Sequence, residues 1–138
     1  MRSLSFLLAL LLLGCGPVLG SGVPQVSAPE AARQVAAGTA VLVDVREPAE
    51  WADTGVAAPA VLLAKSSFDA ELSGGWKSFL EQHRGREISL SCRSGNRSGQ
   101  MAAALVAQGY QVANAGGFKE WQAAGLPVRL VAAPAEVK

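Results

Sequence analysis

The sequence is short of the residues that build metal centres and crosslinked scaffolds. Its 138 positions include two cysteines and one histidine. Two cysteines make neither a disulfide framework nor a four-ligand zinc site. A cationic surplus is missing too: Lys and Arg number 12 against 11 Asp and Glu, a formal charge of +1. That balance argues against a nucleic-acid binder, which neutralises phosphates with excess Lys and Arg. Charged residues make up only 17% and hydrophobic ones 50%, which excludes a disordered, solvated chain. Nor does any apolar run reach the ~20 residues of a membrane-crossing helix. The length suits one domain of ordinary size.

The longest apolar run, Leu4–Leu13, follows Arg2 and has the length of a signal-peptide core. Two processing readings stand. Leu12-Leu13-Gly14-Cys15 resembles a lipobox, which would remove residues 1–14 and leave Cys15 lipidated at the new N-terminus. Ordinary cleavage after Gly20, with Val18 and Gly20 at the recognised positions, would remove residues 1–20 instead. Either places the domain in the periplasm or cell envelope, with membrane contact only through a lipid on Cys15. Either leaves Cys92 as the usable thiol. Gly16–Pro24 reads as a Gly/Pro/Ser tether with an r.m.s. reach of ~15–18 Å. The domain is assigned to residues 25–131 and a loose tail to 132–138.

Within the domain, short apolar runs alternate with helix-like stretches, the pattern of parallel βαβ units. Ser27-Ala-Pro-Glu30 forms a capping signature for a helix closed by Gly38. Val41–Val45 reads as a strand buried on both faces, followed by a short helix over Glu47–Asp53. Further strands are predicted at Val61–Leu63, Ile88–Ser91 and Tyr110–Ala113. Helical spacing covers Phe68–His83, broken at Gly74-Gly75, then Ser98–Gln108 and Phe118–Ala124. No internal repeat is present.

The chemistry concentrates where a strand runs out at Ser91 and a helix opens near Ser98. Between them lie Cys92, Arg93, Ser94, Gly95, Asn96 and Arg97. The carboxyl edge of a parallel sheet is where ligands bind. Short polar and glycine residues let successive N–H groups turn inward, and the helix N-terminus adds about half a positive charge. Arg93 and Arg97 flank the loop, with no acidic residue between Glu87 and Glu120. These groups suit a small anion. They also favour the thiolate, the nucleophilic form of a group that titrates at ~8.5 when free.

The segment Cys92–Ser98, CRSGNRS, resembles the active-site loop of the single-domain rhodaneses, a family of sulfurtransferases. Asp44-Val-Arg46-Glu-Pro48-Ala-Glu50-Trp51 is similar to the family's strand-then-helix motif. Asn114-Ala-Gly116-Gly117-Phe118-Lys-Glu-Trp121 with Gly125-Leu-Pro127-Val is similar to its C-terminal motif. The resemblance spans about 100 residues. It implies a three-layer α/β fold, a mostly parallel sheet of about five short strands with helices on both faces. It also implies a covalent reaction: Cys92 takes sulfur from a small anionic donor, thiosulfate by preference, and passes it to a thiol or cyanide. Residues 93–98 are then the substrate-binding loop, and neither a cofactor nor a metal is required. From Cys92 to Arg97 the spacing is C-x4-R, one shorter than the C-x5-R of related phosphatases. A non-enzymatic persulfide carrier or docking module is the other reading. A thiol redox protein would need a resolving cysteine that the mature chain lacks.

Asp44, Arg46 and Glu50 are expected to be structural supports. Asp44 would accept loop or helix N–H groups, and Arg46 would pair with Glu50. His83 reads as a solvated helix end, and Trp51, Trp76 and Trp121 as packing residues. Gly116 and Gly117 are expected in a tight turn after the last strand. Where the family shows Gly-His-Ile-Pro-Gly-Ala, this chain has Gly55-Val-Ala-Ala-Pro59-Ala, a turn that supports the next strand.

Overall fold

The alternation of apolar runs and capped helices is realised as four parallel strands with helices on either side. The computed structural model describes residues 22–133, so the signal-like segment, Cys15 and residues 134–138 lie outside the described residues. Ser27 caps α1 (Ala28–Ala36), accepting from the Glu30 N–H at 3.3 Å, and β1 (Ala40–Asp44) follows. Pro48 opens α2 (Pro48–Thr54), where its missing N–H is no loss. Next come β2 (Val56–Ala57), β3 (Val61–Leu62), α3 (Lys65–Asp69) and α4 (Trp76–Gln82). The chain continues through β4 (Glu87–Cys92), α5 (Asn96–Ala107), β5 (Val112–Gly117), α6 (Phe118–Ala123) and β6 (Val128–Arg129). Among the described residues, no helix is long and apolar enough to cross a membrane.

The sheet order is β3-β1-β4-β5, all parallel. A single parallel bridge, Gln25 with Asn114, extends it beyond β5. This bridge changes the expected tether: the Pro24 carbonyl accepts from the Asn114 N–H at 2.8 Å, so the end of that segment belongs to the sheet. Side chains alternate across the sheet with the period of two that strands impose. Val43, Val45, Ile88, Leu90 and Cys92 face α4 and α5, where Trp76, Phe79, Leu80, Met101 and Leu105 pack on them. Leu42 and Ala115 face α1 and α6, meeting Ala28, Ala31, Phe118 and Trp121.

The degenerate turn after Trp51 has a structural use that the sequence reading did not anticipate. Val56 and Ala57 form β2, antiparallel to Val128 and Arg129 of β6. The Arg129 guanidinium secures this small second sheet by donating to the carbonyls of Ala58 and Ala60. Trp51, Trp76 and Trp121 are all buried, as expected for packing. His83 ends α4, its ring stacked on Phe79 with centroids 4.2 Å apart.

The end of β1 carries a buried ion pair. The Asp44 carboxylate accepts from the Arg46 N–H, the Arg46 guanidinium (2.7 Å at Nη2) and the Trp51 indole (3.1 Å). Arg46 also donates to the Thr54 hydroxyl and the Gly55 carbonyl, and it lies 4.4 Å over the Phe118 ring. The expected Arg46–Glu50 pair is therefore corrected. Asp44 lies closer along the chain and offers both oxygens to a planar fork that prefers bidentate partners. Removing one member of a buried pair leaves an uncompensated charge. Arg46→Met is accordingly expected to lower unfolding free energy by about 3–5 kcal/mol in urea titration. Ser89 is the opposite case, a buried hydroxyl with no hydrogen-bond partner. Ser89→Ala is expected to leave stability unchanged or raise it in the same assay.

Candidate active site

Cys92 is the last residue of β4, and α5 opens four residues later. The helix therefore starts two residues earlier than the apolar pattern predicts, which draws Asn96 and Arg97 into its first turn. Gly95 makes the tight entrance possible. It holds φ 95° and ψ −4°, and a Cβ there would stand 3.3 Å from Gly116 Cα. The strands adjust to match. The β4–β5 register shifts after Leu90↔Asn114, so that Cys92 comes opposite Gly117. Gly116 and Gly117 thus belong to β5, not to a turn beyond it. A side chain at Gly117 would collide with the Arg93 carbonyl, so that glycine makes room for the loop.

The turn closes over the sulfur. The Gly95 N–H donates to Cys92 Sγ at 3.1 Å and the Ser98 hydroxyl lies 3.4 Å from it. The side chain is only 1% exposed and lies among core residues, yet the polar turn faces it. Burial alone would push the thiol up. The Ser98 hydroxyl and the backbone at Ser98, Ser94 and Gly95 outweigh it together, and the thiol titrates below its ordinary range.

A second layer fixes the loop. Asn114, buried on β5, donates to the Gly95 carbonyl at 2.9 Å and accepts from the Ser98 hydroxyl at 2.8 Å. Arg97 reaches across to α2 and meets Glu50 in a two-pronged pair, 2.7 Å at each contact. These hydrogen bonds from Arg97 come first in holding the Glu50 carboxyl down to about 2; burial opposes them, and the Glu47 N–H adds to them. A depressed carboxylate stabilises the fold above its unfolded pKa, and the contribution fades as pH falls through about 2. The clamp thus persists at every ordinary pH. Beside it opens a cavity of about 220 Å³ lined by residues that include Arg46, Arg93, Phe118 and Lys119.

A parallel sheet with a cysteine loop at its carboxyl edge can be compared directly with known families. The model of the rhodanese-like domain matches residues 27–124, well over half of the chain. This chain belongs to the rhodanese-like domain family. Among solved structures, it resembles a rhodanese-related protein from Thermoplasma volcanium at 24% identity and TM-score 0.62, covering 78% of this chain and 99% of that one. A human single-domain sulfurtransferase, TSTD1, aligns at 25% identity and TM-score 0.57, over 74% of this chain and 97% of its own. A Rhodopseudomonas palustris protein of unknown function, named a possible tyrosine phosphatase, aligns at 23% identity and TM-score 0.66, over 78% and 85%. The first and third likenesses show the fold. None of the curated proteins compared with the chain matches it.

The rhodanese-like domain brings Cys92, Ser94, Gly95 and Ser98 together around one sulfur, and Arg93 to the neighbouring cavity. One expectation changes: Glu50 engages Arg97 instead of Arg46, so that Arg97 also serves as a strut between α2 and α5. Sequence reasoning quoted Asn114 only as part of a motif. Its signal was the one Asp44 gave, a polar residue inside an otherwise apolar strand. The rate of Cys92 alkylation by iodoacetamide is expected to rise with pH through a midpoint below the ~8.5 of a free thiol. Ser98→Ala removes a donor to the charged form, so the midpoint should move up.

Proposed function

We propose that this domain is a sulfurtransferase working through a persulfide on Cys92, with thiosulfate as its donor. The observation that supports this best is the Cys92 sulfur held by the Gly95 N–H at 3.1 Å, within a four-residue interval before Arg97. A ring of donors this small suits one sulfur atom. The thiolate attacks the outer sulfur of thiosulfate, the sulfur–sulfur bond of the donor breaks, and sulfite departs with the bonding pair. The persulfide anion remains on Cys92. An acceptor thiolate then attacks its outer sulfur and restores the Cys92 thiolate, a ping-pong cycle without net redox change. No general base is needed for the attack itself, because the thiolate, the form that the turn favours, is the nucleophile.

The loop amides do for the persulfide what an oxyanion hole does for oxygen: fixed donors meet the charge without reorganising. Arg93 and Lys119 at the cavity give an incoming anion a favourable field. Phosphoryl transfer is the weaker reading. A phosphoryl group brings three oxygens and needs a wider ring of donors than the C-x4-R interval supplies, and the Arg97 guanidinium is already held in a two-pronged pair by Glu50. A carrier that holds persulfide without turnover would share the first half-reaction and fail the second.

Intact mass spectrometry after incubation with thiosulfate is expected to show a gain of ~32 Da that Cys92→Ala lacks, as covalent catalysis requires. Cyanide or a thiol should then remove it, with sulfite released in the first step. No adduct, together with turnover of a phosphate ester, would refute the proposal. Arg93→Ala should raise the KM for thiosulfate several-fold with little change in kcat, and less so at high salt.

A further inference from the structure

Asn114 makes three side-chain hydrogen bonds within the β4–α5 turn and the end of β5. Its Nδ2 donates to the Gly95 carbonyl at 2.9 Å, while its Oδ1 accepts from the Gly116 N–H at 3.1 Å and from Ser98 Oγ at 2.8 Å. A carbonyl only accepts and an N–H only donates, so the amide cannot be turned over. The oxygen must face Ser98. The Ser98 hydroxyl has one proton, and two acceptors stand within its reach: Asn114 Oδ1 at 2.8 Å and Cys92 Sγ at 3.4 Å. Both Ser98 and Cys92 are buried at 1% exposure or less, so the Ser98 proton has these two acceptors to choose between, while the loop N–H groups and the Arg97 guanidinium also act on the sulfur.

We propose that Asn114 is a positioning residue that competes with the Cys92 sulfur for the Ser98 hydroxyl proton, and so trims the reactivity of the nucleophile. This rests on reading Cys92 as that nucleophile. With a neutral thiol, Cys92 S–H donates to Ser98 Oγ and the Ser98 proton stays on Oδ1. When the thiol proton departs to water, the sulfur becomes an acceptor, the Ser98 proton swings to it, and Oδ1 keeps only the Gly116 N–H. Asn114 therefore favours the neutral thiol by one hydrogen bond. The charged groups around the site are Arg97 with Glu50 from α5 and α2, Asp53 of α2, the Asp44–Arg46 pair beyond β1, Arg93 in the loop, and Lys119 and Glu120 of α6. Among the described residues, none of them bonds to the Asn114 side chain or to the Ser98 hydroxyl.

The sign of the effect separates this role from simple support. If Asn114 only braced the loop, its loss would loosen the Gly95 N–H and raise the Cys92 midpoint. Competition predicts the reverse. The test is a double-mutant cycle of Asn114→Ala and Ser98→Ala, read as alkylation rate against pH on proteins shown folded by thermal melting. Asn114→Ala alone should lower the midpoint by about half a pH unit, roughly threefold more thiolate below it. In the Ser98→Ala background the lowering should vanish. Equal shifts in both backgrounds, or a rise with Ser98 present, would overturn the proposal. A second measurement leaves position 114 untouched. The Asn114 carboxamide resonance should move with the Cys92 titration and lose most of that movement in Ser98→Ala; full movement there would overturn it. Neither readout uses a sulfur donor, so a failure with thiosulfate would sink the proposed function and leave this result to be judged alone.

Discussion

A thiolate inside a protein core survives only if donors replace the water it has lost, and the β4–α5 turn meets that constraint. Burial works against the charge on Cys92, and the hydroxyl and amides around it work for it. The geometry that converges those donors needs a left-handed Gly95, a shifted register beside Cys92 and an absent side chain at Gly117. Each of these is a backbone feature at the seam between two adjacent parallel strands. The sheet is therefore part of the site's chemistry and not merely its platform.

Charge around the site is arranged in closed pairs. Asp44 and Arg46 neutralise each other in the interior and hold the middle and end of α2 through the Trp51 indole and the Thr54 hydroxyl. Glu50 and Arg97 do the same at partial exposure and tie that helix to α5. The cations left facing the cavity are Arg93 and Lys119, both exposed and each free of an ion pair among the described residues. The acids that line the same cavity are Glu50, held by Arg97, and Asp53, so the two exposed cations outnumber the one acid without an ion pair among the described residues.

Much of this was legible in the sequence. Continuous apolar runs marked the buried strands, Ser27 and Pro48 marked helix starts, and the polar stretch after Cys92 marked the loop. What escaped was decided by contacts between distant segments. The β2–β6 pair is two residues per strand, too short for any periodicity to register, and it joins positions some seventy residues apart. The Arg46 partner was misassigned because a local i,i+4 pairing with Glu50 was the simplest on paper. Only the fold brings Glu50 of α2 against the first turn of α5. The β5 boundary was missed because Gly116 and Gly117 read as turn formers, while their pairing partner was the cysteine strand itself.

The bridge at Gln25 fixes the end of the sheet at which the chain enters the domain. From that bridge the chain runs back alongside β5 toward its first residues, and Gly22 lies beside Glu87 and Val112, the starting ends of β4 and β5. The sulfur sits at the opposite ends of those strands. The chain thus enters the described domain at the pole opposite the reactive sulfur, and a group carried on Gly22 would stand clear of the β4–α5 turn.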